Sequence, residues 1–304
     1  MKQNESSITS LISAFGRAYH CQYDTPLIFD DYIAKELITP QEFADIRENM
    51  IQGIHFFNPD MAHLIKDDPD KILRWIVQTQ LAPTPLARAA YCERVLLHEL
   101  ALGSTQYLIL GAGLDTFALR HMELKNCLRI IEVDAPPTQQ FKLSRLASLK
   151  QPVPLNLRFV AMDLTNKDSL PTLLDEELSG EKSFLSLLGV SFYWTKEDLS
   201  RLLRVLFTNL PSGSSIVFDY ADEHLFETKG IYNRVDHMVQ MAAAGGEPMK
   251  SGYAYAEMEA LLDEAGLLIY EHLNPEAIQE QFFQDRTDHL MAFETIHFIH
   301  AVKK

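Results

Sequence analysis

The chain has 304 residues, 47% of them hydrophobic and 23% charged, and this ordinary globular composition excludes collagen-like, low-complexity and disordered proteins. Its 27 basic and 42 acidic residues leave a net charge of −15, so the surface repels phosphate backbones and anionic lipid headgroups. We therefore expect neither nucleic acid nor a membrane as a partner.

The cysteines and histidines lack the spacings of metal sites or disulfide frameworks. Cys21, Cys92 and Cys127 are odd in number and contain no CxxC pair. The eleven histidines contain no HExxH, and His297 and His300 would point to opposite faces of a strand, so we expect no metal. Without a run of about 20 apolar residues or a signal-peptide core, the sequence favours an unprocessed soluble protein of the cytoplasm.

The first hundred residues have the patterns of helices. Apolar residues at helical spacing predict a helix over about 8–19. A Thr-Pro-x-Glu capping box at 39–42 predicts a second helix to about Met50. Further helices are predicted from about Asp70 and over 83–100, with Gly following the last one.

Short apolar runs alternating with helical stretches follow, and this rhythm predicts a parallel, doubly wound sheet. The five runs are Tyr107–Leu110, Leu128–Val133, Leu157–Ala161, Phe184–Leu188 and Ser215–Tyr220. Beyond them we expect about 35 helical residues and then a helix over 255–265. Strands over 267–272 and 295–302 are expected to form an antiparallel pair that closes one sheet edge.

These elements define the predicted domains and fold class. We expect residues 1–103 to form a helical cap on a core of residues 104–304, with a helical substrate segment near 222–252. The fold class is therefore α/β: a doubly wound Rossmann-like sheet with an N-terminal helical cap and an antiparallel C-terminal strand pair.

A glycine pair follows the first apolar run. Gly111 and Gly113 lack side chains, which lets backbone N–H groups approach a ligand at the carboxyl end of the sheet. The alternative is a tight strand-to-helix turn without a ligand.

Acidic residues end the next two strands. Asp134 follows Gly113 by 21 residues, the distance at which a carboxylate accepts the ribose hydroxyls of an adenosine cofactor. The third glycine of the dinucleotide fingerprint is replaced by Thr116, which weakens an NAD interpretation. Glu132 is either a ligand or a solvent-facing acid at the strand edge.

Asp163 ends the third strand, where a carboxylate can accept the exocyclic amine of adenine. The alternative is that it caps a helix near Asp168. Glycines, an acid and another acid at three successive strand ends match what a class I methyltransferase needs to bind S-adenosylmethionine.

Three segments together resemble the leucine carboxyl methyltransferase family: LGAGLDT at Leu110–Thr116, EVDAP at Glu132–Pro136 followed by Lys142, and DY at Asp219–Tyr220. The family also contains bacterial polyketide carboxyl methyltransferases. The resemblance covers nearly the whole chain. It implies S-adenosylmethionine as cofactor and O-methylation of a carboxylate on a small molecule or peptide.

The resemblance also implies roles for two arginines and reveals two departures. By position, Arg88 would hold the cofactor carboxylate, and Arg17 in the first helix would face the cofactor. Leu188 stands where the family usually has an acid, and Phe117 stands where bacterial members often have arginine. A non-catalytic S-adenosylmethionine-binding module therefore stays open, as does an NAD-dependent oxidoreductase.

A carboxylate acceptor is already ionised near pH 7 and needs no general base, whereas a phenol or alcohol does. If a base or acceptor clamp is required, Tyr220 and His224 are the nearest candidates by chain position, with His237 next. Three aromatic residues at 192–194 follow the fourth strand, where they would line an acceptor pocket or serve only as core and rim aromatics.

Overall fold

One seven-stranded sheet organises the computed structural model, which describes residues 8–149, 152–166, 170, 177–178, 180–228 and 230–304. The strands are β1 (Gln106–Leu110), β2 (Arg129–Asp134), β3 (Leu157–Ala161), β4 (Ser183–Leu187), β5 (Ser215–Ala221), β6 (Leu267–Leu273) and β7 (Ile296–Lys303). Their order is β3-β2-β1-β4-β5-β7-β6.

The strand directions confirm the predicted fold class. Strands β1 to β5 pair in parallel, and β7 lies antiparallel between β5 and β6. The strand order reverses between β1 and β4. In open α/β sheets, ligands bind outside the carboxyl ends of the strands at such a reversal.

Helices precede the sheet and connect its strands. The α-helices of the described ranges are α1 (Ile8–Tyr23), α2 (Pro40–Gln52), α3 (Ile54–Phe57), α4 (Pro59–Leu64), α5 (Pro69–Ile76), α6 (Pro83–Ala101), α7 (Phe117–Arg120), α8 (Pro136–Ser148), α9 (Lys196–Asn209), α10 (Arg234–Ala244), α11 (Tyr255–Glu264) and α12 (Pro275–Phe282). The capping box at Thr39 is formed, with Glu42 donating its backbone N–H to the threonine hydroxyl. Within the described ranges, no helix is long and apolar enough to cross a membrane.

Alternating side chains distribute the core over both faces of the sheet. In β1, Tyr107 and Ile109 join a hydrophobic cluster with the N-terminal helices and α6. Leu108 and Leu110 join a second cluster, with α9 and α11. The helices of the first hundred residues therefore share one continuous core with the sheet.

The segment after β5 is less helical than the sequence predicts. Between 222 and 252, the described helical residues are the short turn Ile231–Asn233 and α10. Tyr232 and Asn233 have φ values of 55° and 56°, a left-handed backbone that interrupts a continuous helix. Gly246, with φ of 79°, follows the end of α10. The prediction of about 35 helical residues is therefore wrong in extent.

Replacing Phe218 by Ala tests the core that supports the carboxyl edge. Phe218 lies in β5, between β4 and β7, and is fully buried. We expect Phe218→Ala to lower the free energy of unfolding by about 3–5 kcal/mol, because it leaves a cavity. Leu268→Ala, at a side chain that is 56% exposed in β6, should cost less than about 0.5 kcal/mol. Urea denaturation measures both, and equal losses would contradict the assigned core.

Candidate active site

A cavity of about 1140 Å³ lies at the carboxyl ends of β1 to β4. It exceeds the range of about 300–1,000 Å³ that single small-molecule sites occupy, so it has room for a cofactor and an acceptor together. The loops after β1, β2, β3 and β4 form one part of its wall. Residues of α1, α2, α6, α7 and α10 contribute as well, together with the loop after α10, the segments after α1 and before α6, and two residues at and just before the start of β7.

The glycine loop after β1 depends on two left-handed glycines. Gly111 has φ of 68°, and a Cβ atom there would lie 2.6 Å from Val190 Cγ2. Gly113 has φ of 51°, and a Cβ atom there would lie 3.0 Å from Ser10 Oγ. Both glycines line the cavity. Any side chain would strain this loop and collide with its neighbours.

Asp134 fixes the glycine loop to the end of β2. Its Oδ2 accepts a hydrogen bond from the Gly113 N–H at 2.5 Å, and its Oδ1 accepts one from the Ala135 N–H at 2.7 Å. Burial raises the pKa of this carboxyl above its ordinary value, and the two N–H donors oppose that rise. A carboxylate has about four lone-pair positions, so further donors can bind on the cavity side.

Glu132 is neither a ligand in the cavity lining nor a solvent-facing acid, the two alternatives that the sequence left open. It is buried in an ion pair. Its Oε2 accepts a hydrogen bond from Lys142 Nζ, and both side chains are only 2% exposed. Burial raises the pKa of Glu132 to about 7, against the effect of the neighbouring ammonium group. Removing one partner of such a pair is costly, because the other charge stays buried without compensation. The pair therefore joins α8 to β2 directly behind Asp134.

Asp163 lies exposed at the cavity rim after β3. Its Oδ1 accepts hydrogen bonds from the N–H and the hydroxyl of Thr165, at 2.9 and 2.7 Å. These local bonds fix the loop that carries it. Asp168, near which the alternative helix cap was expected, lies outside the described residues.

Arg88 joins the site through Asp219, a residue to which the sequence interpretation assigned no separate role. The Nη1 of Arg88 donates a hydrogen bond to Asp219 Oδ2 at 3.0 Å. The Oδ1 of Asp219 accepts a hydrogen bond from the Gly189 N–H at 2.5 Å. A Cβ atom on Gly189 would lie 2.5 Å from both Nη1 and Nη2 of Arg88. The guanidinium group therefore rests against the bare Gly189 backbone while it lines the cavity.

Arg17 also lines the cavity, but its polar atoms bind the protein. Its Nε donates to Asp31 at 2.8 Å, and its Nη2 donates to the Leu114 carbonyl at 2.7 Å. Asp31 is 1% exposed and also accepts a hydrogen bond from the Thr116 hydroxyl at 2.7 Å. Arg17 thus ties α1 to the glycine loop from two sides.

The structure does not bring Tyr220 and His224 to the cavity. Tyr220 is fully buried on the opposite face of the sheet, where its hydroxyl lies 3.1 Å from His272 Nε2. His224 is a surface residue whose Nδ1 lies 2.9 Å from Glu227. His237 packs against Phe56 with the two rings tilted by 48°, and it is likewise absent from the described lining.

Strand alternation explains why Asp219 contacts the lining residue Arg88 and Tyr220 does not. Neighbouring residues of β5 point to opposite faces, and α6, which carries Arg88, covers the face of Asp219. That alternation is the sequence signal that could have found Asp219. The three aromatic residues Phe192, Tyr193 and Trp194 do line the cavity. Burial raises the pKa of Tyr193 to about 12.

Comparison with known proteins agrees with this geometry. A family model described as leucine carboxyl methyltransferase matches residues 10–207, about two thirds of the chain. The chain belongs to the leucine carboxyl methyltransferase family. The resemblance seen in the sequence motifs is therefore confirmed.

Relatives and solved structures extend the comparison over the full chain. The chain is 60% identical to a Bacillus subtilis (strain 168) protein with the provisional name S-adenosyl-L-methionine-dependent methyltransferase YktD, over 100% of both chains. A Mycobacterium ulcerans (strain Agy99) protein with the same kind of provisional name is 30% identical over 51% of this chain and 47% of its own. The crystal structure of a DUF574 family protein from Streptomyces avermitilis covers 99% of both chains with a TM-score of 0.60 and 16% identity, which shows a shared fold.

Family membership establishes the activity at the level of S-adenosylmethionine-dependent methyl transfer. The cofactor predicted from the three strand ends is thereby confirmed. The NAD interpretation has no support from these relatives. The acceptor is a separate question.

Gly189→Ala tests the contact between the glycine backbone and Arg88. Gly189 has φ of 71°, so alanine costs about 1–2 kcal/mol of strain and also displaces the guanidinium group. We expect S-adenosylhomocysteine to bind more weakly by about 1.5–3 kcal/mol, the value of a hydrogen bond to a charged group. Isothermal calorimetry measures the loss.

Gly103→Ala is the matched control. Gly103 has φ of 94°, but a Cβ atom there meets nothing within 4 Å. The Gly103→Ala variant should lose about as much stability as Gly189→Ala but keep its affinity for S-adenosylhomocysteine. If Gly189→Ala and Gly103→Ala bind S-adenosylhomocysteine equally well, the position of the Arg88 guanidinium group does not affect cofactor binding.

Proposed function

We propose that the protein transfers a methyl group from S-adenosylmethionine to a carboxylate oxygen of a small molecule or peptide, with a methyl ester as product. The observation that carries this proposal is that no histidine occurs among the described residues of the cavity lining. An ionised carboxylate is the oxygen acceptor that needs no general base. The carboxyl acceptor in the description of the matching family supports the same choice.

The tyrosines of the lining give this proposal further support. Burial raises the pKa of Tyr193 to about 12 and raises that of Tyr107 well above its ordinary value, so both stay protonated near pH 7. Tyr220 and His224 lie outside the cavity, and we assign neither a role in the reaction.

We propose that the charged residues of the site each bind a different part of the cofactor. Arg88 binds the cofactor carboxylate, since its guanidinium nitrogens other than Nη1 make no hydrogen bond to a described residue. Asp134 accepts the ribose hydroxyls, and Asp163 accepts the adenine amine. Gly111 and Gly113 allow close approach of the backbone. Arg17 positions the loop rather than the reacting atoms, because its donors already bind Asp31 and Leu114.

Methyl transfer from a sulfonium is an in-line displacement whose reactive group comes from the cofactor, so the protein contributes position and a dry site. The aromatic residues Phe192, Tyr193 and Trp194 are suited to this task, because ring faces attract cations and exclude water. We further propose a cytoplasmic location, which the three free cysteine thiols support.

Arg88→Ala tests the division of roles among the cofactor residues. We expect it to weaken S-adenosylhomocysteine binding by about 1.5–3 kcal/mol, while 5′-methylthioadenosine, which lacks the carboxylate, binds nearly as before. Asp134→Ala should weaken both ligands, because both contain the ribose. Calorimetry with the two ligands gives the comparison, and equal losses for Arg88→Ala would remove Arg88 from its proposed role.

Alkali treatment of the labelled product tests the bond that is formed. The enzyme is incubated with a metabolite extract and methyl-labelled S-adenosylmethionine, and the products are held in mild alkali. An ester releases labelled methanol, whereas ethers and methylamines keep their label. Non-volatile label would refute carboxyl methylation, and cofactor binding without any S-adenosylhomocysteine formed would indicate a non-catalytic module.

A further inference from the structure

An apolar group of residues in the cavity wall, none of which follows a strand of the parallel sheet, contains four methionines. We define it as the acceptor wall, which consists of Met50, Met238, Met241, Met249, Phe293 and Ile296. Its members are apolar and lie half-buried or buried around the same cavity as the glycine loop. An acceptor bound there contacts mainly thioether, alkyl and ring surface.

Three of the four cations among the described lining residues form ion pairs with the protein. Among the described lining residues these cations are Arg17, Arg88, Arg120 and Lys250. Arg17 binds Asp31, Arg88 binds Asp219, and Arg120 binds Glu93 at 2.6 Å. Lys250 is an exposed residue. Arg17 and Arg120 are therefore held by carboxylates of the protein, and the body of the acceptor lies against the apolar acceptor wall.

The backbone behind the acceptor wall is braced by Arg234. Its Nε donates to Glu294 at 2.9 Å, its Nη1 donates to the Thr79 carbonyl at 3.1 Å, and its Nη2 donates to the Ala292 carbonyl. This buried side chain joins α10, which carries Met238 and Met241, to the segment that carries Phe293. These bonds fix the backbone of α10 and of the segment before β7, so adaptation of this part of the wall falls to its side chains.

Methionine side chains are suited to such adaptation. An unbranched thioether with three rotatable bonds fills irregular shapes, and methionine-rich surfaces recur in binders that accept several partners. Resting on the proposed carboxyl methylation, we propose that the enzyme methylates apolar-bodied carboxylic acids of varied shape, which the acceptor wall accommodates by rotation of its methionines.

The test measures binding of known acids to protein saturated with S-adenosylhomocysteine. Hexanoate, octanoate and decanoate vary the apolar area, and 4-phenylbutanoate and cyclohexylbutanoate vary the shape. We expect the affinity to rise about fourfold for each added methylene, because each buried methylene contributes about 0.8 kcal/mol. The ring-bearing acids should bind within about tenfold of decanoate.

Stiffening the wall tests the role of methionine itself. The double variant Met238→Ile, Met241→Ile keeps apolar volume but introduces β-branched side chains with a restricted χ1 angle. It should retain decanoate binding and bind the ring-bearing acids at least about tenfold more weakly. Met122→Ile, at a methionine outside the described lining, is the control and should change neither.

The outcomes separate this inference from the proposed function. Affinity that does not rise with chain length, or a double variant with an unchanged preference between straight and ring-bearing acids, would overturn the inference while S-adenosylhomocysteine binding stays intact. Failure of S-adenosylhomocysteine to bind in the first titration would instead overturn the proposed cofactor site. The acids are also titrated without S-adenosylhomocysteine, so that their affinity for the acceptor wall is measured whether or not S-adenosylhomocysteine binds.

Discussion

Two aspartate carboxylates hold the loops at the carboxyl edge of the sheet, and the cavity depends on both. Asp134 accepts the Gly113 N–H, and Asp219 accepts the Gly189 N–H, each at 2.5 Å. The two glycines have left-handed backbone and follow β1 and β4, the strands between which the sheet order reverses. Each carboxylate thus fixes a loop that only glycine can form there without strain.

The two carboxylates differ in what balances their charge. Arg88 lies against Asp219, whereas the described hydrogen bonds of Asp134 come from backbone N–H groups. One end of the cofactor region therefore presents a guanidinium group, and the other presents a carboxylate. This polarity suits a ligand that carries a carboxylate at one end and hydroxyl donors further along, as the proposed binding mode requires.

The N-terminal helices are part of the site as well as part of the core. Asp31 forms an ion pair with Arg17 on one side and accepts a hydrogen bond from the Thr116 hydroxyl on the other, so it links α1 to the glycine loop. Arg120, on α7, binds Glu93 on α6. Such buried charges are strongly interdependent, because removing one leaves its partner without compensation. Helices and loops consequently hold each other in the geometry that shapes the cavity.

The sequence by itself determined the strands, the glycine loop and Asp134, because their causes are local. Buried parallel strands require apolar runs, and a left-handed turn at the strand end requires glycine. Which side chains meet across the fold was decided only by the tertiary structure. Asp219 and Tyr220 are adjacent, yet Asp219 faces α6 and pairs with Arg88, whereas Tyr220 lies beside His272. Arg88 lies 131 residues before Asp219, so only the folded sheet brings the two charges together.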